Sequence, residues 1–584
     1  MRLALLGVGV LAVVPIVACS KIIRKDPAVT LIQPVQSGRS FDSFQSRASH
    51  GMVATAHPEA TRAGLAILKE GGNAVDALTA VSFALSVVVP HHAGLGGGGF
   101  AVIRMDPDKK ARTFDFREMA PGAAHRDMFL VNGKADPRLS TEGALSVAVP
   151  GFVAGILQIQ EKHGSGRFTL EQLLAPAIRL ADEGFEVTPA LSKAIEKERE
   201  KLGRFPSSRS VFLKPDGTVP QAGERIVQKD LAETLRRIVR EGRAGFYQGV
   251  VAEKIVRSLR RVGGNLTAED LSNYQVRERD PIVGTYRGLQ VYSMPPPSSG
   301  GIVLVQMLNM LEGYDLASSG PQTDKTIHLM SEVERLAYAD RALYLGDPDF
   351  FDVPVGHLTG KEYAALLRQK IGERAGDSEA LKPKEWATQM GRGSTTHFSV
   401  VDQWGNAIAT TLTINLAFGS GIVAEGTGIV LNDEMDDFSA QPGVPNEFGL
   451  VGAEANAVQP HKRPLSSMTP TLVLNRKGEL VMSLGAAGGS RIITGVLQTI
   501  VNSVDYSMAP LNAVAAARVH HQWLPNEIFH EEGGIPEVFR GGLQGRGHKL
   551  TFKKELGRVQ LVAKSEGQWV GIADPRDEGS AMGY

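Results

Sequence analysis

Two kinds of periodicity run through this chain, and together they predict a mixed fold of the α/β (α+β) class. Residues 396–401 and 407–413 alternate β-branched or apolar side chains with small or polar ones around the turn 402–406, the pattern of a hairpin. Residues 169–263 repeat their apolar positions with a helical period, as at Leu170, Leu173 and Leu174 or Leu235, Ile238 and Val239. A third signal is the apolar segment 480–484, which runs into Gly488-Gly489 and then Ser490-Arg491-Ile492-Ile493 in the order strand, turn, helix.

The composition is that of an ordinary globular chain: 584 residues, 42% hydrophobic, 63 basic against 63 acidic side chains, and one cysteine. That is ample material for a large core. The balanced charge removes the electrostatic reason to expect nucleic acid, so a small substrate is expected.

At the N-terminus, Met1-Arg2 precede an apolar run, 3–18, of signal-peptide length and short for a membrane span. It ends in Ile16-Val17-Ala18-Cys19, which resembles a bacterial lipobox. The reading is a lipoprotein-type signal peptide, 1–19, with Cys19 lipidated and the protein tethered on the periplasmic side of the cell envelope. A plain secretory signal cut near Ala18, giving a soluble periplasmic or secreted protein, is the alternative. With the single cysteine used there, no disulfide within the chain is expected.

Residues 20–49 are polar and aperiodic, with Pro27, Pro34 and Gly38, and read as a flexible tether, order beginning at Gly51. After His57-Pro58, residues 60–70 read as a helix stopped by Gly71-Gly72. Asn73 caps a second helix, 74–88, apolar on nearly every face and therefore buried. The glycines from Gly94 to Gly99 satisfy G-x-G-x-x-G, but they follow a helix and precede a strand, 100–105, the reverse of a phosphate cradle. Close backbone packing explains them better. Residues 114–121 are a short strand that ends in charge at Arg117, Thr267 and Asp270 have capping-box spacing, and 292–301 is a proline-rich connector whose glycines let the next helix pack closely.

The chain is organised around the junction where the polar loop 382–393 meets the first hairpin strand. A register centred on Trp404 places Val401 opposite Ala407 and Thr395 opposite Thr413. Left intact, both threonines are ordinary strand residues. If the Ser394–Thr395 bond is cut, Thr395 gains an α-amine with a reference pKa of about 7.7–8.0 beside its hydroxyl, nucleophile and base in one residue.

The run Thr395-Thr396-His397-Phe398-Ser399-Val400-Val401-Asp402, with Leu431-Asn432-Asp433-Glu434-Met435-Asp436-Asp437-Phe438, Arg463-Pro464-Leu465-Ser466-Ser467-Met468 and Gly488-Gly489-Ser490, resembles the γ-glutamyltranspeptidase (glutathione hydrolase) family of N-terminal-nucleophile hydrolases. The resemblance extends from His50 to Tyr584. It implies a four-layer αββα sandwich formed jointly by a large subunit, 50–394, and a small catalytic subunit, 395–584, cut from one precursor and held as a heterodimer. By the same resemblance, Thr395 takes the γ-glutamyl group from glutathione and γ-glutamyl amides and passes it to water or to amino acid or dipeptide acceptors. Thr413 orients the nucleophile, and the backbone N–H groups of Gly488 and Gly489 receive the oxyanion. Arg117, Ser466 and Ser467 hold the substrate α-carboxylate; Asn415, Glu434 and Asp437 hold its amine. No cofactor is implied, and the acidic run 433–437 lacks the glycine-centred spacing of a calcium loop, so no metal is expected.

Three departures from the family pattern stand out. Ala487 takes the place of a proline before the glycine pair, Phe448 that of a tyrosine in the lid-like loop 442–452, and Glu434 that of a glutamine found in some relatives. Two other readings stay open: a glutaryl or cephalosporin-type amide acylase of the same fold, and a non-catalytic lipoprotein that binds γ-glutamyl peptides.

Overall fold

The computed structural model describes residues 29–32, 39–381 and 394–584, so the expectations for Cys19, the signal peptide and the loop 382–393 fall outside the described residues. Two seven-stranded sheets form the centre. One runs in the order Ser580–Gly583, Met52–Thr55, Thr396–Val401, Ala407–Thr413, Gly98–Arg104, Ala111–Phe116, Arg277–Arg279. The other runs Gln45–Ala48, Gln568–Ala573, Arg558–Ser565, Leu480–Ala487, Thr471–Leu474, Leu289–Ser293, Ile282–Tyr286.

Strand alternation sorts the side chains into layers. Phe398, Val400 and Ile408 point outward into a core shared with the helices Pro58–Lys69, Ala74–Val88 and Phe152–His163. Val401, Ala407 and Ala409 point inward against Leu472, Leu480 and Val562 of the facing sheet. On that sheet's outer side, Val473, Leu484 and Leu561 pack with the helices Gly300–Leu311, Asp324–Tyr344 and Arg491–Val504. The result is helix, sheet, sheet, helix, as the resemblance implies. Each large apolar side chain removed from water contributes about 1.5–3 kcal/mol, so these three layers of contact hold the sandwich.

Local signals are realised where they were legible. Asn73 Oδ1 accepts from Val75 N and Asp76 N, and Asn73 N donates to Asp76 Oδ2, ahead of a helix whose every residue is buried. The glycine run has a steric reason. A Cβ on Gly97 would lie 2.0 Å from Thr413 O, and one on Gly99 2.3 Å from Thr411 O, so only glycine lets this strand pair with Ala407–Thr413.

The ordered chain begins earlier than its polar composition suggests, which corrects the assignment of all of 20–49 to a tether. Ile32 N donates to Ala515 O at 3.0 Å, and Ala517 N donates to Thr30 O at 2.9 Å. Phe41–Phe44 forms a 3-10 turn with Phe44 fully buried under the Arg39 guanidinium, and Gln45–Ala48 adds an edge strand to Gln568–Ala573. An edge strand with only partly covered side chains needs no apolar alternation.

Between the sheets lies a polar thread. Ser399 Oγ donates to Ser483 O at 3.0 Å, so it accepts from His397 Nε2 at 3.2 Å, and His397 Nδ1 accepts from Thr411 Oγ1 at 2.8 Å. The imidazole fills the space over Gly485, where a Cβ would meet it at 2.3 Å.

Candidate active site

The hairpin is fixed at its turn by Asp402. Its Oδ1 accepts from Trp404 N and Asn406 N, and its Oδ2 from Asn406 Nδ2 and from Ala74 N of the buried helix. The ladder runs from Val401↔Ala407 to Thr396↔Leu412, so the next residue, Thr395, stands opposite Thr413. With the Ser394–Thr395 peptide intact, Thr413 Oγ1 donates to Ser394 O at 3.3 Å and accepts from Asn415 N at 2.8 Å. In this uncut chain the Thr413 hydroxyl lies on the carbonyl that precedes Thr395.

Asn415 has a φ of 74°, a left-handed conformation that asparagine tolerates, and it turns the chain out of the strand. Its Nδ2 donates to Asp433 O at 3.0 Å, and Leu416 N donates to Asp433 Oδ1 at 3.0 Å. These bonds bring the acidic turn Glu434–Asp437 beside Thr413.

Arg117 is carried to the same place by the end of Ala111–Phe116 and is fully enclosed. Its fork donates to Glu434 Oε1 through Nη1, to Asp437 Oδ2 through Nη2 at 2.5 Å, and to Pro464 O through Nε at 3.2 Å. Burial alone would lower the guanidinium's pKa, but Glu434, then Asp437 and Glu118, outweigh it and raise it. Burial pushes the Glu434 carboxyl well above its ordinary range despite Arg117. Asp437 is also raised, its Oδ1 accepting from Asn446 Nδ2 at 3.0 Å.

Ser466 and Ser467 close another side, where Arg341 Nη2 donates to Ser467 Oγ at 3.3 Å. The glycine pair closes the last. Gly488 and Gly489 have φ values of 133° and 63° between the strand Leu480–Ala487 and the helix Arg491–Val504. A Cβ on Gly489 would lie 2.6 Å from the Phe448 ring, and a Cβ on Gly488 would lie 2.9 Å from Gly557 Cα.

Thr395, Thr413, Gly489, Arg117, Asn415, Glu434, Asp437, Ser466 and Ser467 border one cavity of about 20 Å³, capped by Phe448. Gly488 does not border it. The volume is room for about one water. A wider cleft of about 1050 Å³ lies on the other side of the junction, bordered by His91, His92, Ser394 and Arg558.

Three acidic or basic neighbours of the cavity were given no role from the sequence. Glu118 is buried 3.7 Å from Arg117 Nη1, and burial pushes its carboxyl up to about 7. Asp433 is likewise raised well above its usual range by burial. Arg341 sits inside the long helix Asp324–Tyr344, and its Nε donates to Ser299 Oγ at 3.0 Å. Glu118 adjoins Arg117 and Asp433 opens the acidic run 433–437, which could have pointed to those two; nothing local in the sequence marks Arg341.

The family model described as Gamma-glutamyltranspeptidase matches residues 60–584. This chain belongs to the γ-glutamyltranspeptidase family. The glutathione hydrolase proenzyme of Escherichia coli (strain K12) is 46% identical over 548 residues, 93% of each chain. Among solved structures, the cephalosporin acylase from Bacillus halodurans is 28% identical with a TM-score of 0.82, covering 95% of this chain and 99% of that one. The Helicobacter pylori γ-glutamyltranspeptidase is 44% identical with a TM-score of 0.53, covering 54% of this chain and 90% of that one. The family membership and the αββα sandwich of an N-terminal-nucleophile hydrolase therefore agree.

Proposed function

We propose that this γ-glutamyltranspeptidase family member is a self-cleaving proenzyme that hydrolyses glutathione and other γ-glutamyl amides, or passes the γ-glutamyl group to amino acid or dipeptide acceptors. The observation that carries the reading is the convergence of charges of both signs on Thr395 in one buried cavity. An amino acid head, one anion and one cation, is the ligand such a cavity satisfies, because unpaired buried charge is costly.

In the first reaction, Thr395 Oγ1 attacks the Ser394 carbonyl carbon while Thr413 polarises the carbonyl oxygen. The C–N bond breaks, the nitrogen takes the proton and becomes the Thr395 α-amine, and water hydrolyses the resulting ester. In the second, that amine accepts the Thr395 hydroxyl proton as Oγ1 attacks the γ-carbonyl. Backbone N–H groups at Gly488 and Gly489 stabilise the oxyanion, the leaving amine departs with the proton, and water or an acceptor amine releases the acyl group.

For binding, the α-carboxylate takes the Arg117 fork together with Ser466 and Ser467. The ammonium replaces Arg117 as counter-charge to Glu434 and Asp437, with Asn415 Oδ1 as a further acceptor. The cavity is too small for this head, so Phe448 and its loop must move aside. The two fragments stay together as a heterodimer, and the apolar run before Cys19 supports a lipid tether on the periplasmic side.

The test combines intact mass with donor specificity. The purified protein should be cut before Thr395, and Thr395→Ala should stay one inactive chain; both fragments appearing in that variant would refute self-cleavage. The likeness to the Bacillus halodurans cephalosporin acylase favours a second reading, acylase activity. A glutaryl amide lacks the α-amine, so equal rates on glutaryl and γ-glutamyl amides would decide for the acylase.

A further inference from the structure

Ser394 provides the carbonyl that the self-cleavage attacks, and its side chain is gripped by groups that the chemistry at Thr395 does not use. Ser394 Oγ is 2.7 Å from His91 O and is also hydrogen-bonded to His92 Nδ1. A hydroxyl has one proton, and a carbonyl can only accept, so that proton goes to His91 O. His92 Nδ1 must then carry the hydrogen and donate to Ser394 Oγ. In a neutral imidazole this leaves Nε2 as an acceptor, and Arg558 Nη1 stands 3.2 Å from it. Arginine can only donate, so the direction agrees from both ends: Arg558 to His92, His92 to Ser394, Ser394 to the His91 carbonyl. Burial first, then His91 and Arg558, hold His92 well below its ordinary range, consistent with the neutral ring that this chain of bonds requires.

We propose that His92, backed by Arg558, is a positioning residue for the cut between Ser394 and Thr395. Locking the Ser394 side chain fixes its peptide plane, which keeps Ser394 O on the Thr413 hydroxyl at 3.3 Å and its carbon facing Thr395. His92 moves no proton and touches neither reacting atom. Once the cut is made, Ser394 becomes a chain end. His92 and Arg558 border the wide cleft rather than the cavity that receives the γ-glutamyl head, so the device belongs to the precursor. The inference rests on the self-cleavage reading.

The experiment follows the uncut chain with time after a pulse of cell-free synthesis, read on a denaturing gel. His92→Ala should cut about tenfold more slowly, the size of one lost buried hydrogen bond. Ser394→Ala should slow the cut to a similar degree, and the double variant should be no slower than the slower single one. His92→Asn places an amide N–H where Nδ1 was and should recover most of the rate, whereas His92→Gln, equally polar but reaching the Nε2 position, should not. A parental rate in His92→Ala, losses that multiply in the double variant, or equal rates in the Asn and Gln variants would each overturn the proposal. The Asn and Gln pair keeps the test decisive if the alanine variant does not fold. Thr395→Ala runs alongside: its cutting would overturn self-cleavage itself, while its staying whole beside a normal His92→Ala would overturn only the positioning role.

Discussion

Arg117 is already hydrogen-bonded to Glu434, Asp437 and Pro464 O, so in the proposed binding mode a substrate carboxylate must win the guanidinium from two acids. Lysine keeps the charge and loses the fork. Arg117→Lys should therefore raise KM for donors with a free α-carboxylate by roughly 10–100-fold, the value of a charge-assisted bond, with a smaller effect on donors that lack it. Equal loss on both donor classes would contradict the assigned contact. Its neighbour Glu118 makes a different prediction, about pH. Burial raises this carboxyl from 4.5 to about 7, more than Arg117 lowers it. Between those values the folded protein holds a proton that the unfolded chain has released, so stability falls as pH rises through the window and the loss is complete above it. Glutamine mimics the protonated acid. Glu118→Gln should melt like the parent near pH 4.5 and be more stable at pH 8 by on the order of 1–3 kcal/mol; a less stable variant at pH 8 would mean that the ionised pair with Arg117 wins.

At the scale of elements, the hairpin and the strand facing it are joined through His397, whose ring occupies the space where Gly485 would carry a side chain. Gly485→Ala should cost about 1–3 kcal/mol by overpacking, seen as a lower Tm, and should slow the cut because the displaced ring bears on the Thr395 strand. Which elements were legible in the sequence follows from how locally each is encoded. The Asn73 cap and the hairpin register around Trp404 are written within a few residues and are found where they were expected. Gln45–Ala48 was not legible, because its ladder partner lies at Gln568–Ala573 and its exposed edge imposes no apolar pattern. The same holds at the site. Arg117, Glu434 and Ser467 could be placed through their motifs, whereas Arg341 reaches Ser467 from mid-helix. The pairing of Arg117 with the acids expected to hold an amine is a property of the assembled cavity, which no single motif contains.

Over the whole molecule, both sheets are built jointly from segments before and after Ser394. Gln45–Ala48, Met52–Thr55, Gly98–Arg104 and Leu289–Ser293 each pair with strands that follow the junction. Cutting one peptide bond leaves those ladders and the shared core in place. The cut protein should therefore elute as one particle on gel filtration and part into its two fragments only in denaturant; spontaneous separation in plain buffer would contradict the shared sandwich.

The glycine run that lets Gly98–Arg104 lie against Ala407–Thr413 has a further consequence for timing. Thr413 reaches the junction carbonyl only from a strand that has docked on a segment about three hundred residues earlier in the chain. On the proposed self-cleavage, scission is a checkpoint passed late in maturation, after distant parts of the polypeptide have met. The proportion of severed to whole polypeptide in a fresh preparation would serve as an internal gauge of how many molecules reached the native state.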